Sequence, residues 1–284
     1  MRGSLMRVNG VRLHVIQDGP ENGRLVLLLH GFPEFWYGWR HQIPFLADRG
    51  FRVWAPDQRG YNLSEKPSGL DAYAREQLAA DAAGLIAASG REQAVVVGHD
   101  WGAAVAWQLA GTHPELIDRL VIINVPHPKV FRQHLRSSLR QLLKSWYIFF
   151  FQLPGIPEAL ARWKDWRQLT RALTNTSRPG TFSEEDLERY REAWSQPGAY
   201  PAMLNWYRAA VRRPSPELTD PVIKPPTLVI WGARDQFLDQ ALAGPSAGMC
   251  RRGRLEVLPQ ATHWVIHEQP ERVNRLILGH LTKT

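Results

Sequence analysis

Short, mostly apolar runs of four or five residues punctuate this chain at 25–29, 51–55, 94–97, 120–123, 227–231 and 255–258. Runs of this kind mark strands buried on both faces of a parallel sheet, where no side of the strand meets water. Between most of them lie stretches with helical spacing, such as 76–88, whose apolar positions recur every three or four residues. Strand-helix alternation predicts an α/β architecture, a mostly parallel central sheet flanked by helices. Ahead of it, Val8-Asn9-Gly10-Val11 predicts a hairpin, because Asn-Gly accepts the positive φ that a two-residue turn requires.

The alternation breaks between 129 and 216, where helical patterns rich in Trp, Tyr and Arg replace the buried strands. Prolines flank the break, in Val125-Pro126-His127-Pro128 and Arg213-Pro214-Ser215-Pro216. The economical reading is a core of 1–128 and 217–284 with a helical lid, or cap, of 129–216 inserted in it. Ligands of open α/β sheets bind beyond the carboxyl ends of the strands. An insertion leaving the strand at 120–123 would cover that crevice.

Composition narrows the class. The chain has 284 residues, 44% of them hydrophobic, enough for one large domain with an insertion. No apolar run approaches the length of a membrane span; the nearest, Trp146-Tyr147-Ile148-Phe149-Phe150-Phe151, is too short, so no stable membrane insertion is expected. The first residues lack the apolar core of a signal peptide, and Met6 is a candidate natural start. A lone cysteine, Cys250, excludes an internal disulfide and fits a reducing, cytoplasmic setting. The formal charge of +8 concentrates at 132–144, 162–171 and 251–254, none of which carries a nucleic-acid module. Solvated basic helix faces account for it, with at most weak attraction to anionic surfaces.

The chemistry is concentrated at Gly98-His99-Asp100-Trp101-Gly102, which follows an apolar run and precedes a helical stretch at 103–110. Strand, Gly-X-nucleophile-X-Gly turn and helix form a nucleophile elbow, a strained turn that lifts one side chain above the sheet. The side chain here is a carboxylate. Attack by Asp100 on saturated carbon gives an alkyl ester, whereas serine attacks carbonyls. Enzymes that open epoxides or displace halides are favoured, and ordinary proteases and esterases are not.

Hydrolysis of such an ester needs a base, a group to orient it, and donors for the oxyanion. Asp235 follows the strand at 227–231, and His263 follows the strand at 255–258, so Asp100, Asp235 and His263 stand in the order nucleophile, acid, histidine. Asn124 is a second position for the orienting group, though an amide supports an imidazolium less well than a carboxylate. The oxyanion donors expected are the backbone N–H groups of Phe32, in Leu29-His30-Gly31-Phe32-Pro33, and of Trp101; Pro33 is a candidate for a cis peptide. His99 is expected to pack behind the elbow. Phe35-Trp36-Tyr37 is read as packing rather than substrate contact. His263 and His267 stand four apart, but no further ligands lie at suitable spacing, and no metal is expected.

His30-Gly31-Phe32-Pro33, Gly98-His99-Asp100-Trp101-Gly102, Trp231-Gly232-X-X-Asp235 and His263-Trp264 resemble the motifs of the α/β-hydrolase fold epoxide hydrolases. Asp57-Gln58-Arg59-Gly60-Tyr61-Asn62-Leu63-Ser64 resembles a loop of the same family, with Asn62 where glycine is usual; asparagine tolerates a left-handed backbone. The resemblance spans the chain from Val8 to Leu281. It implies an α/β-hydrolase fold and two lid tyrosines that protonate the epoxide oxygen. Tyr147, five residues ahead of Gln152-X-Pro154-Gly155, and Tyr207, in Leu204-Asn205-Trp206-Tyr207-Arg208, match those motifs.

The implied activity is a cofactor-independent hydrolase converting a hydrophobic epoxide to a diol through an ester on Asp100. The alternative is a haloalkane dehalogenase-like enzyme with the same nucleophile, whose halide leaving group needs no acid. Fluoroacetate-type dehalogenases resemble this chain at Gly-His-Asp but carry arginine where Trp101 stands. A hydrolase fold used only for binding is the remaining alternative. Monomer and homodimer are both compatible with the sequence.

Overall fold

A computed structural model describes residues 1–216, 218 and 220–282. Eight strands form one sheet: β1 (Arg2–Val8), β2 (Val11–Asp18), β3 (Leu25–Leu29), β4 (Arg52–Pro56), β5 (Ala94–His99), β6 (Ile117–Ile123), β7 (Thr227–Gly232) and β8 (Gly253–Leu258). Their order is β1-β2-β4-β3-β5-β6-β7-β8. β1 and β2 pair antiparallel through the Asn9-Gly10 turn, β2 pairs antiparallel with β4, and the rest of the sheet is parallel. Asn9 and Gly10 take φ of 46° and 79°, as the hairpin signal requires.

The two-residue period of the central strands distributes side chains to two cores. Leu27, Leu29, Val96, Ile122 and Val229 pack on one face, and Leu28, Val97, Val121, Ile123 and Ile230 on the other. The apolar runs are apolar because both faces are covered. β8 departs from that expectation. It begins at Gly253 and stays largely exposed or half-buried, because it is the last strand and lacks a neighbour on one side.

Register aligns the functional ends. Leu29 pairs with Gly98, His99 with Ile123, and Ile123 with Ile230, so these strands finish at one level. Between β6 and β7 the described residues form seven helices, from Pro128 to Arg212. Proline at the first position of helix Pro128–Ser137 suits a site with no helical partner for its missing N–H. The return point read from the sequence at 217 lies outside the described residues. These helices lie over the carboxyl ends of the strands, where the Trp194 indole donates to the Pro33 carbonyl at 2.6 Å and the Lys144 ammonium donates to the Asp235 carbonyl at 2.8 Å. No helix among the described residues is long and apolar enough to cross a membrane.

Candidate active site

The turn after β5 is strained as the elbow pattern demands. Asp100 has φ 50° and ψ −125°, a backbone state few non-glycine residues adopt, and caps the helix Trp101–Thr112. Its neighbours must be small. A Cβ on Gly102 would lie 2.0 Å from the Leu29 carbonyl oxygen, and one on Gly31 would lie 2.2 Å from the Asp100 Cβ.

Asp100 presents its two oxygens differently. Oδ1 accepts from the Phe32 amide at 2.8 Å, while Oδ2 lies 3.3 Å from His263 Nε2. The Phe32–Pro33 peptide is cis. Trp101 is the first residue of its helix, so its N–H is among the first-turn donors that no helical carbonyl can reach. His263 Nδ1 donates to Oδ2 of Asp235 at 2.7 Å. The three residues in the expected order thus meet at one point, each from the loop beyond a strand.

Charges around His263 set its protonation. Burial opposes an imidazolium, but Asp235 and Asp100 on either side outweigh it and hold the pKa up at about 10. For Asp100, burial favours the neutral acid and is outweighed by His263, His99 and the Phe32 amide, so the carboxyl sits below its ordinary range. Asp235 is lowered in the same way, burial being outweighed by His263 and Asn124. The resting arrangement is an imidazolium between two carboxylates.

Asn124 does not take the orienting position considered for it; it braces Asp235, which does. At φ 55°, it donates from Nδ2 to Asp235 Oδ2 at 2.7 Å and accepts the Gly232 amide at 3.1 Å. His99 lies behind the elbow, with Nε2 2.8 Å from the His263 carbonyl and Nδ1 3.2 Å from Glu34 Oε2. His267 is turned away from His263: its Nε2 donates to Glu34 Oε1 at 2.6 Å and its Nδ1 accepts from Arg40 at 2.8 Å. Glu34 is fully buried and also accepts from the Tyr190 hydroxyl at 2.7 Å. Sequence reasoning passed over it; the available signal was an acid inside the apolar run Phe32-Pro33-Glu34-Phe35-Trp36. No group of three or more His, Cys, Asp or Glu among the described residues could hold a metal ion.

Above Asp100 and His263 opens a cavity of about 410 Å³, walled by Phe32, Tyr147, Phe151, Tyr207 and Phe237. The Tyr147 and Tyr207 rings lie edge to face at 5.9 Å, and Tyr207 meets Trp101 edge to face at 5.0 Å. Burial raises both phenols, and the Asp100 charge raises them further, so each remains a neutral hydrogen-bond donor. Phe35, Trp36 and Tyr37 are outside the cavity wall; Phe35 packs against Tyr190 at 5.5 Å. Asn62, in the loop after β4, takes φ 40° and donates to Asp57 at 2.8 Å, using the left-handed tolerance expected of it.

Comparison with known proteins agrees with this geometry. Residues 24–270 match the alpha/beta hydrolase fold family. The chain is 50% identical to the AB hydrolase superfamily protein YfhM of Bacillus subtilis, over 97% of this chain and 96% of that one. It is 39% identical to epoxide hydrolase 1 of Caenorhabditis elegans, over 98% of this chain and 70% of that one. A mutant epoxide hydrolase from Bacillus megaterium, solved with its product (R)-3-[1]naphthyloxy-propane-1,2-diol, superposes with a TM-score of 0.90 at 33% identity, covering 99% of this chain and all of that one. An elbow aspartate, the matched family and relatives alike over nearly the whole chain place this protein in the epoxide hydrolase family of the α/β-hydrolase fold.

Proposed function

We propose that this protein adds water to an apolar epoxide and releases a vicinal diol, through a covalent hydroxyalkyl ester on Asp100. Residues 129–216 serve as a lid on the core of 1–128 and 217–284. The observation that carries the reading is the pair of neutral phenols, Tyr147 and Tyr207, in the cavity wall above Asp100. An alkoxide leaving group calls for proton donors; a departing halide does not.

In the first step Asp100 Oδ2 attacks a ring carbon, the carbon–oxygen bond breaks, and the oxygen takes a proton from a lid tyrosine. Ester formation removes the Asp100 charge. That charge is one of the causes holding both phenols weakly acidic and His263 protonated, so its loss eases proton release from all three. The imidazolium proton restores the tyrosine, and His263 becomes a base. His263, oriented by Asp235, then deprotonates a water that attacks the ester carbonyl. The oxyanion develops on Oδ1, already held by the Phe32 amide, with the Trp101 N–H as second donor. Collapse frees the diol and returns the carboxylate and imidazolium. No cofactor enters this cycle, and the single buried thiol, Cys250, suits a cytoplasmic setting.

The test is a His263→Gln variant incubated with styrene, aliphatic and fatty-acid epoxides. Intact-protein mass should rise by the mass of one epoxide and localise to the peptide carrying Asp100. Diol formation by wild type with no adduct in the variant, across the panel, would refute the ester route.

A further inference from the structure

Nine of the fourteen exposed large apolar side chains among the described residues fall between positions 139 and 163, each between 42% and 79% exposed. Their spacing is not random. Leu139 and Leu143 lie one turn apart on helix Leu139–Lys144, Trp146 and Phe149 on helix Trp146–Phe150, and Leu153 and Ile156 at the turn that follows, and all six are exposed, giving an outward apolar stripe along one stretch of chain. The opposite side of the same segment is already used: Gln141 and Ser145 are buried, Gln141 donates to the Phe237 carbonyl at 2.9 Å, and Tyr147 lines the cavity. With the inner side taken up in this way, the outward apolar side chains are left to water. A patch this size on a protein surface marks a contact.

Charge identifies the occupant. Residues 129–171 hold nine Lys or Arg against two acids, Glu158 and Asp165. Glu158 is itself neutralised by Arg208 at 2.7 Å. Arg136, Arg140, Arg162, Lys164 and Arg167 are exposed around the stripe. An apolar stripe with Trp and Phe, rimmed by cations, fits the interface of a bilayer containing anionic lipid. A second copy of the chain presenting the same face would bring like charges together. A protein partner would also have to cover the cavity mouth, because Trp146 and Leu160 belong to both the patch and the cavity wall. A lipid surface leaves that mouth open to whatever apolar molecule is dissolved in it.

We propose that the outer face of residues 139–163 docks peripherally on an anionic lipid bilayer, with the cavity mouth turned toward the lipid. The docking does not depend on which reaction the site performs. The experiment is sedimentation of the full chain with vesicles of phosphatidylcholine alone or with about one-third phosphatidylglycerol. Wild type should bind the anionic vesicles at least about tenfold more tightly than the neutral ones, with 0.5 M salt weakening the anionic binding as polybasic attachment requires. A Leu139→Glu/Leu143→Glu/Phe149→Glu variant should lose binding, with melting temperature and turnover of a water-dissolved substrate unchanged. Leu63→Glu/Val222→Glu, which alters exposed apolar residues elsewhere, should bind as wild type. Absence of wild-type binding, equal binding by the patch variant, or a solution dimer that the patch variant dissociates would overturn the proposal.

Discussion

The side-chain amide of Asn124 donates to Oδ2 of Asp235 at 2.7 Å, the same oxygen that accepts from His263. The other oxygen, Oδ1, accepts the Phe237 and Leu238 amides at 2.7 and 2.9 Å. Asn124 is therefore the side-chain donor that fixes the oxygen facing the histidine. Asn124→Gly isolates this role, because glycine tolerates the φ of 55° while removing the amide. It should lower kcat by at least about tenfold, in line with other outer-shell partners of a catalytic group. Stability should fall by about 1–3 kcal/mol, because the buried Gly232 amide loses its acceptor and Asp235 Oδ2 keeps only the His263 bond. An unchanged kcat would show that the two backbone amides suffice to hold Asp235.

Tyr147→Phe and Tyr207→Phe should each reduce kcat by roughly ten- to a hundredfold, since either phenol can still protonate the oxygen when the other is gone. The double variant should lose about 10²–10⁴-fold, the usual contribution of a general acid. Rapid-mixing measurements should place the loss in formation of the ester and leave its hydrolysis near the wild-type rate. Equal losses in both steps would mean that the tyrosines position substrate without supplying a proton.

His263 gives stability a pH dependence of definite sign. Burial lowers its pKa, Asp235 and Asp100 raise it, and the net value of about 10 lies above the ordinary 6.5. A group raised on folding stabilises fully below its unfolded value, and that contribution is lost as pH rises through the folded value. Wild type should therefore lose stability between about pH 6.5 and 10, at up to about 1.4 kcal/mol per pH unit. Denaturant unfolding at neutral pH and above pH 10 checks this. His263→Gln should flatten the curve across that window, and Asp100→Asn should narrow the window by ending the loss at a lower pH.

The elements that could be read from the chain are those whose local pattern and tertiary environment agree. β3, most of β5 and β7, and the 120–123 stretch of β6 are apolar because both faces are covered, and the loops after β3, β5, β7 and β8 deliver Phe32, Asp100, Asp235 and His263 to one place. β8 was legible as a strand but not as an edge, since exposure depends on which neighbour is missing. Seven helices between β6 and β7 could be read only as a helical region. Two of their starts are set by Gly155 and Gly198, N-cap residues at positive φ, inside a segment without a steady period. Glu34, His99, Tyr190 and His267 were illegible as a unit. They are far apart in sequence, and only the docking of helix Glu184–Ser195 over the Pro33 loop brings the tyrosine to the acid.

That unit makes Glu34 a sensitive position. Its carboxylate is fully buried and is held well below the ordinary range: burial opposes ionisation, and His267 and His99 more than reverse it. Glu34→Gln keeps the shape but removes the charge and turns one acceptor into a donor facing an imidazole. Leaving the buried donors of this cluster without their shared acceptor costs about 1–3 kcal/mol, more when the acceptor lost is charged. Chemical denaturation should show a loss of that order. Turnover should also fall, because His99 ties this cluster to the His263 carbonyl at 2.8 Å. A drop of less than about 0.5 kcal/mol, the range of ordinary surface changes, would mean that the hydrogen bonds and not the charge hold the cluster.

Two glycines that look equivalent in the motifs should fail differently. A Cβ on Gly102 would stand 2.0 Å from the Leu29 carbonyl, at the end of the central strand β3, where Leu29 pairs with Gly98 of β5. Gly102→Ala must push the elbow helix off β3, and the expected outcome is a protein that does not accumulate in folded form. A Cβ on Gly31 meets the Asp100 side chain instead, at 2.2 Å from Cβ and 2.5 Å from Oδ1. The loop after β3 and the carboxylate can move apart, so Gly31→Ala should fold. The movement needed is about 1 Å, enough to cost on the order of 10²-fold in rate when it displaces a nucleophile. It also separates Oδ1 from the Phe32 amide, the donor to the developing oxyanion. Circular dichroism and melting curves for both variants, with single-turnover rates for Gly31→Ala, distinguish the two cases. A fully active Gly31→Ala protein would mean that the Phe32 amide is not needed at Oδ1.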